Sequence, residues 1–152
     1  QSGRLAGDAM NHTLPPIPVE VQAVFDACPD RARRRLLTLR ALIFATAQRT
    51  AGVGPLEEAL RWGEAAYLPT RTRSGSAVRL GWQPTRPEQV VVLFHCQTGL
   101  VERFRTMFPR ELTFEGQRAI VLPVAEPFDG EALSCCIAAS LRHHLDRRRS
   151  RS

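Results

Sequence analysis

Val90-Val-Val-Leu-Phe94 is an unbroken run of large apolar residues, three of them β-branched. A run so short and so rich in valine reads as a strand covered on both faces rather than as a helix. That one segment constrains the rest, because a strand covered on both sides needs neighbours on each edge. Val78, Leu80 and Trp82 alternate with Arg79 and Gly81, the period of a half-buried strand. The loop from Pro84 to Pro87 is too short for a crossover, so these two strands pair antiparallel. A further strand is expected around Glu64–Leu68, after a break at Trp62-Gly63, with Arg71-Thr-Arg-Ser-Gly-Ser76 as a hairpin loop. Thr113–Glu115 and Arg118–Leu122 flank Gly116-Gln117 as a tight hairpin.

Helical periodicity fills the remainder. Pro18 opens a helix whose apolar face is Val21, Val24, Phe25 and Cys28. Asp30 reads as the N-cap of a second helix running to about Gln48, ended by Ala51-Gly-Val-Gly-Pro55. Leu56–Leu60 reads as one helical turn. Thr98 is placed to cap a helix carrying Leu100, Val101, Phe104, Met107 and Phe108. Asp129 is placed to cap the last helix, which turns Leu133, Cys136, Ile137 and Leu141 to the core. The expected order is α-α-β-β-β-α-β-β-α, an α+β domain with an antiparallel sheet of about five strands. The single domain spans 14–146. Residues 1–13 read as a flexible N-terminus, with Gln1-Ser-Gly a tag remnant and Met10 a candidate start, and 147–152 as a basic disordered tail.

Composition narrows the chemistry. All 21 basic side chains are arginine, so a Walker loop and a Schiff-base lysine are both excluded. The net charge of +6 is concentrated near the C-terminus, where Arg142, Arg147, Arg148, Arg149 and Arg151 face only Asp146. This reads as a solvated tail, able at most to make weak, salt-sensitive contact with a polyanion. Four cysteines show no CxxC spacing and no paired framework. With no secretory or membrane-spanning segment evident, the expectation is a cytoplasmic chain with reduced thiols.

Four signatures lie in order: Glu58-Ala-Leu-Arg-Trp-Gly-Glu-Ala-Ala-Tyr67, Ser74-Gly-Ser-Ala-Val-Arg79, Phe94-His-Cys-Gln-Thr98 and Phe114-Glu-Gly-Gln-Arg118. Together they resemble the YdhG-like domain family over about residues 20–145. The resemblance implies helices packed on an antiparallel sheet, and some members are described as frataxin-like iron chaperones. Iron delivery of that kind uses a surface cluster of carboxylates. Here the first helix offers only Glu20 and Asp26, and Glu57-Glu58 is the one adjacent acidic pair.

Candidate sites follow from position. His95 ends the buried strand, and Thr98 opens a helix whose free N–H groups favour anions. Arg79 and Arg118 can converge on this region, with Trp62 and Tyr67 as walls. The expectation is a pocket for a small anionic or aromatic ligand, lined by Trp62, Tyr67, Arg79, His95, Thr98 and Arg118. Against it stands the reading that His95 is structural and that the arginines pair with Glu64 and Glu115. No catalytic residue, metal ligand or cofactor is assigned. A Cys96 nucleophile served by His95 is disfavoured because strand neighbours point to opposite faces. The leading expectation is a non-catalytic binding or interaction module. A ligand-processing enzyme using the His95 pocket, with Glu58 or Glu64 as acid or base, and an iron carrier are the alternatives. A homodimer is left open.

Overall fold

The computed structural model describes residues 14–151; the expectations for residues 1–13 lie outside that range. Helix α1 (Val19–Asp26) follows Pro18 and buries Val21 and Phe25. Cys28, expected to complete that face, is only half-buried. Helix α2 (Asp30–Arg49) buries Leu36, Leu39 and Ile43 at helical spacing. Its N-cap position is Pro29, and Asp30 lies inside the first turn, bonded to Arg33.

Strands β1 (Glu57–Arg61), β2 (Glu64–Leu68), β3 (Val78–Gly81), β4 (Gln89–Leu93), β5 (Thr113–Glu115) and β6 (Ala119–Pro123) form one antiparallel sheet in the order β1-β2-β3-β4-β6-β5. β4 is central and pairs with β3 and β6, as its apolar run requires. The sheet has six strands rather than about five, because 57–61 is a strand and not the expected helical turn. The cause is the connection to β2. Trp62 and Gly63 have φ of +53° and +76°, the two positive values that a two-residue type I′ hairpin demands. That turn locks Arg61 opposite Glu64 and carries the preceding residues into the ladder.

Helix α3 (Leu100–Met107), α4 (Gly130–Leu141) and α5 (His143–Arg151) complete the chain. The side chain of Asp129 accepts the Ala132 amide at 3.0 Å, the expected cap of α4. Helix α5 runs through 147–151, so the segment expected as disordered continues a helix. Pleat alternation sends Tyr67, Val78, Leu80, Val90, Val92, Ile120 and Leu122 into the core, against α1, α2 and α4.

Two contacts fix the helices to this sheet. Ser74-Gly-Ser76, expected as plain hairpin loop, caps the C-terminus of α4. Ser74 Oγ donates to the Leu141 carbonyl at 2.6 Å, and the Ser76 amide to the Ser140 carbonyl at 2.8 Å. The Ser74 carbonyl accepts the His144 and Leu145 amides, which starts α5. A Cβ on Gly75 would sit 2.2 Å from the Ser140 carbonyl oxygen, so no other residue fits. The second contact is a buried trio. Arg40 donates from Nε and Nη2 to both oxygens of Glu58, at 2.6 and 2.8 Å. The Tyr67 hydroxyl donates to Glu58 Oε2 at 2.8 Å.

The Arg40 and Glu58 side chains are 5% and 4% exposed. Truncating one partner leaves the other charged and buried, at a cost of about 3–5 kcal/mol. Glu58→Ala is therefore expected to lower the urea-unfolding free energy by that amount, and Tyr67→Phe by about 1–3 kcal/mol. A Glu58→Ala loss below 1 kcal/mol, under a third of that lower bound, contradicts the role given to the trio. The four thiols are also expected to separate in native titration. Cys96 and Cys135 are exposed and react first. Cys28 and Cys136 are slowed, because burial pushes both thiols up, Cys136 to about 12. Four equally fast thiols exclude this packing.

Candidate functional site

The second face of the sheet is set by the same pleat. One row of partnered residues crosses all six strands: Ala59, Ala66, Arg79, Leu93, Ala119 and Glu115. Val91, half-buried, lies on this face, so β4 is not fully covered on both sides as expected. Small residues hollow the row, and the face opens into two cavities of about 490 and 670 Å³. Glu64, Leu93, Cys96 and Arg118 line both, so the two join into one concavity.

The larger cavity brings together Trp62, Arg79, His95 and Arg118, four of the six residues singled out from the sequence. Trp62 stands on the β1–β2 turn and is 86% exposed. The Arg79 guanidinium carbon lies 5.1 Å from the centroid of its ring. Arg79 also pairs with Glu64 at 3.3 Å, as the structural reading expected. Glu115 pairs with Arg86 instead, at 2.7 Å. Arg118, expected as the first residue of its strand, is the last residue of the turn before β6, where its carbonyl accepts the Phe94 amide at 2.7 Å.

Tyr67 is not part of this wall. Its neighbour Leu68 lines the larger cavity, so Tyr67 points the other way, into the core, fully buried against Phe44 and Glu58. Burial and the Glu58 carboxylate push its phenol far above the usual range, while Arg40 pulls it back only in part. Glu58 is likewise inside, on the helix-covered face, away from His95. Thr98 is no helix N-cap. It ends a 3₁₀ turn (Cys96–Thr98), and Gly99 precedes α3 in the left-handed conformation. Its hydroxyl donates to the His95 carbonyl at 2.7 Å and accepts the Leu100 amide at 3.2 Å, so it lines a third recess with His95 rather than the larger cavity. His95 and Cys96 lie beyond the end of β4, so strand alternation does not separate them, and both line the cavity. His95 Nδ1 accepts the Gln97 amide at 3.1 Å.

Glu64 entered the sequence reading as a partner of the arginines and as an alternative acid or base, not as a pocket-lining residue. Its carboxylate lies over Gly81, where a Cβ would meet Oε2 at 3.0 Å. Burial raises its pKa, against the opposing pull of Arg79 and Arg118. The concavity therefore has a carboxylate at its centre, flanked by two guanidiniums, with an indole at the rim. Among the described residues, no group of three or more His, Cys, Asp or Glu side chains is arranged to hold a metal ion. Compared with known proteins, the chain matches no family model, no curated protein and no solved structure.

A carboxyl whose pKa rises on folding binds its proton more tightly in the folded state. Its contribution is present at low pH and lost as pH rises through the folded value. Ionised Glu64 thus opposes folding near neutrality. Glu64→Gln is expected to raise the urea midpoint at about pH 7, with the gain shrinking as pH falls toward about 4, the ordinary carboxyl range. A destabilised Glu64→Gln at neutral pH makes the Arg79 pair worth more than the burial of the carboxylate.

Proposed function

We propose that this chain is a non-catalytic ligand-binding module whose open sheet face takes a small planar anion, an aromatic or heteroaromatic carboxylate. Trp62 is the observation that carries the reading. A bulky residue at φ +53° stores strain of about 1–3 kcal/mol. Asn or Gly would make the same turn without that strain. An indole kept there, exposed and at the mouth of a cavity, has a use in stacking. Its Arg79-facing side is occupied, and its rim position offers the ring to a ligand lying over Leu68 and Leu93. Arg118 supplies the planar fork that matches a carboxylate.

The YdhG-like resemblance belongs to the same proposal. Helices packed on one face of an antiparallel sheet are what it implies, and the ordered signatures supply all four of the cavity residues named above: Trp62, Arg79, His95 and Arg118. A cytoplasmic location accords with four unpaired cysteines. The iron-carrier alternative needs clustered carboxylates, and the described residues favour the arginine-flanked cavity over it.

Titration with benzoate and with indole-3-carboxylate, followed by calorimetry and tryptophan fluorescence, tests the proposal. At least one is expected to bind. Arg118→Ala is expected to weaken it by about tenfold, or 1.4 kcal/mol, and Trp62→Ala by about fivefold, the scale of one exposed cation–π or stacking contact. Binding unchanged in both variants, or no binding at ~1 mM ligand, removes this reading.

A further inference from the structure

We propose that the recess on the far side of His95 is a second, separate site, which binds a tetrahedral dianion such as sulfate or the phosphate of a small monoester. The recess has a volume of about 450 Å³ and lies between Ser76, the 3₁₀ turn after β4 and the start of α5. His95, His143, His144 and Arg147 all line it.

Their convergence is built into the fold. The Ser74 carbonyl captures the first amides of α5, at 2.9 and 3.1 Å, and holds His143 and His144 beside the β2–β3 loop. The two rings lie 5.8 Å apart, centroid to centroid. From the other side, the 3₁₀ turn presents His95. Its Nδ1 accepts from Gln97, so the neutral ring carries its proton on Nε2 and offers a donor. His144 Nδ1 lies 3.3 Å from the Arg73 carbonyl, which can only accept. Nε2 of that ring donates once the ring is charged. Arg147 completes the set with a fork suited to oxyanions.

The charge balance points to an anion rather than a metal ion. His143 is faced by His144, Arg147 and Asp146 on its own helix and by Arg103 of α3. Asp146 is the one acid among them, and Arg142 already holds it at 3.4 Å. Burial, and then His144, Arg147 and Arg103, depress the pKa of His143. A bound dianion reverses that local field, so His143 takes up a proton as the anion enters. Binding is thereby linked to pH: it is strong where the imidazoles charge and fades as pH rises.

Sulfate is the probe, because its own charge is constant between about pH 5 and 8, the range in which histidines titrate. Calorimetry of the full chain in buffers of different ionisation heat is expected to show proton uptake on sulfate binding. Affinity is expected to fall about tenfold between about pH 6 and 8. Arg147→Gln, on the exposed side of α5, is expected to weaken sulfate about fivefold or more. His143→Gln is expected to remove most of the proton uptake. Glycerol phosphate binding as tightly as sulfate or tighter assigns the site to esters, and weaker binding assigns it to the free anion. Arg118→Ala leaves sulfate binding intact, which separates this site from the sheet cavity. No sulfate binding at about 10 mM, binding independent of pH, full affinity in Arg147→Gln, or loss in Arg118→Ala each overturns the assignment.

Discussion

The ion pair between Arg40 and Glu58, completed by the Tyr67 hydroxyl, holds the helix layer to the first hairpin. It joins α2 to β1 and β2 through three side chains with almost no exposure to water. Arg40 also donates to the Pro15 carbonyl at 2.7 Å, so the segment before α1 is tied to the same point. A charged pair in such a place is costly to desolvate and stays only if its remaining hydrogen bonds are made. Here they are: Glu58 accepts three, and the Arg40 guanidinium lies 5.0 Å from the Phe44 ring centroid. Burial lowers the Arg40 pKa, and the bonds and charge of Glu58 more than restore it. Glu58 on the core side of β1 fixes the pleat, and the pleat then decides which residues of β2 face outward. Glu64 and Leu68 reach the concavity because Tyr67 does not.

Much of this was legible in local patterns, and the misses share one physical cause. β3 and β4 declare themselves through alternation and through a β-branched run, signals that depend on near neighbours alone. β1 does not, because Glu57-Glu-Ala-Leu-Arg61 is composed of strong helix formers. Its strand state is imposed by the turn at Trp62-Gly63 and by the ladder to β2, tertiary terms that propensity does not contain. The break between α4 and α5 is similar, since it depends on a carbonyl at Ser74 that lies far away in sequence. The placement of Thr98 failed for a local reason. Gly99 takes the left-handed cap geometry, so the hydroxyl closes its own turn instead of meeting a ligand.

The candidate site was readable as a set of side-chain types around His95, but not as a geometry. Trp62, Arg79, His95 and Arg118 do meet at one cavity. Tyr67 could have been placed by the pleat alone: with Glu64 and Arg79 on one face, residue 67 must lie on the other. Glu64 and Gly81 were invisible as a unit, because only the antiparallel register puts a residue without a side chain under a carboxylate. His143 and His144 follow α4 directly in the chain, and on a continuous helix they give no sign of meeting His95. The helix break turns them toward it.

The absence of lysine ties these features together. A guanidinium can bond a carboxylate in its plane and still lay its face on a ring, which an ammonium cannot do. The chain uses this repeatedly, with Arg40 on Phe44, Arg79 on Trp62 and Arg105 on Phe114. At Arg40 the double use is structural, with the ion pair buried. At Arg79 the same arrangement of arginine, glutamate and aromatic ring recurs on the open face, with the ring exposed and the carboxylate half-buried. The inner copy is closed by a tyrosine hydroxyl that donates a third hydrogen bond to its glutamate. The outer copy has Arg118 nearby and open volume above it instead. The difference between a support and a site is then a matter of what completes the trio: a side chain of the fold in one case, space for a ligand in the other.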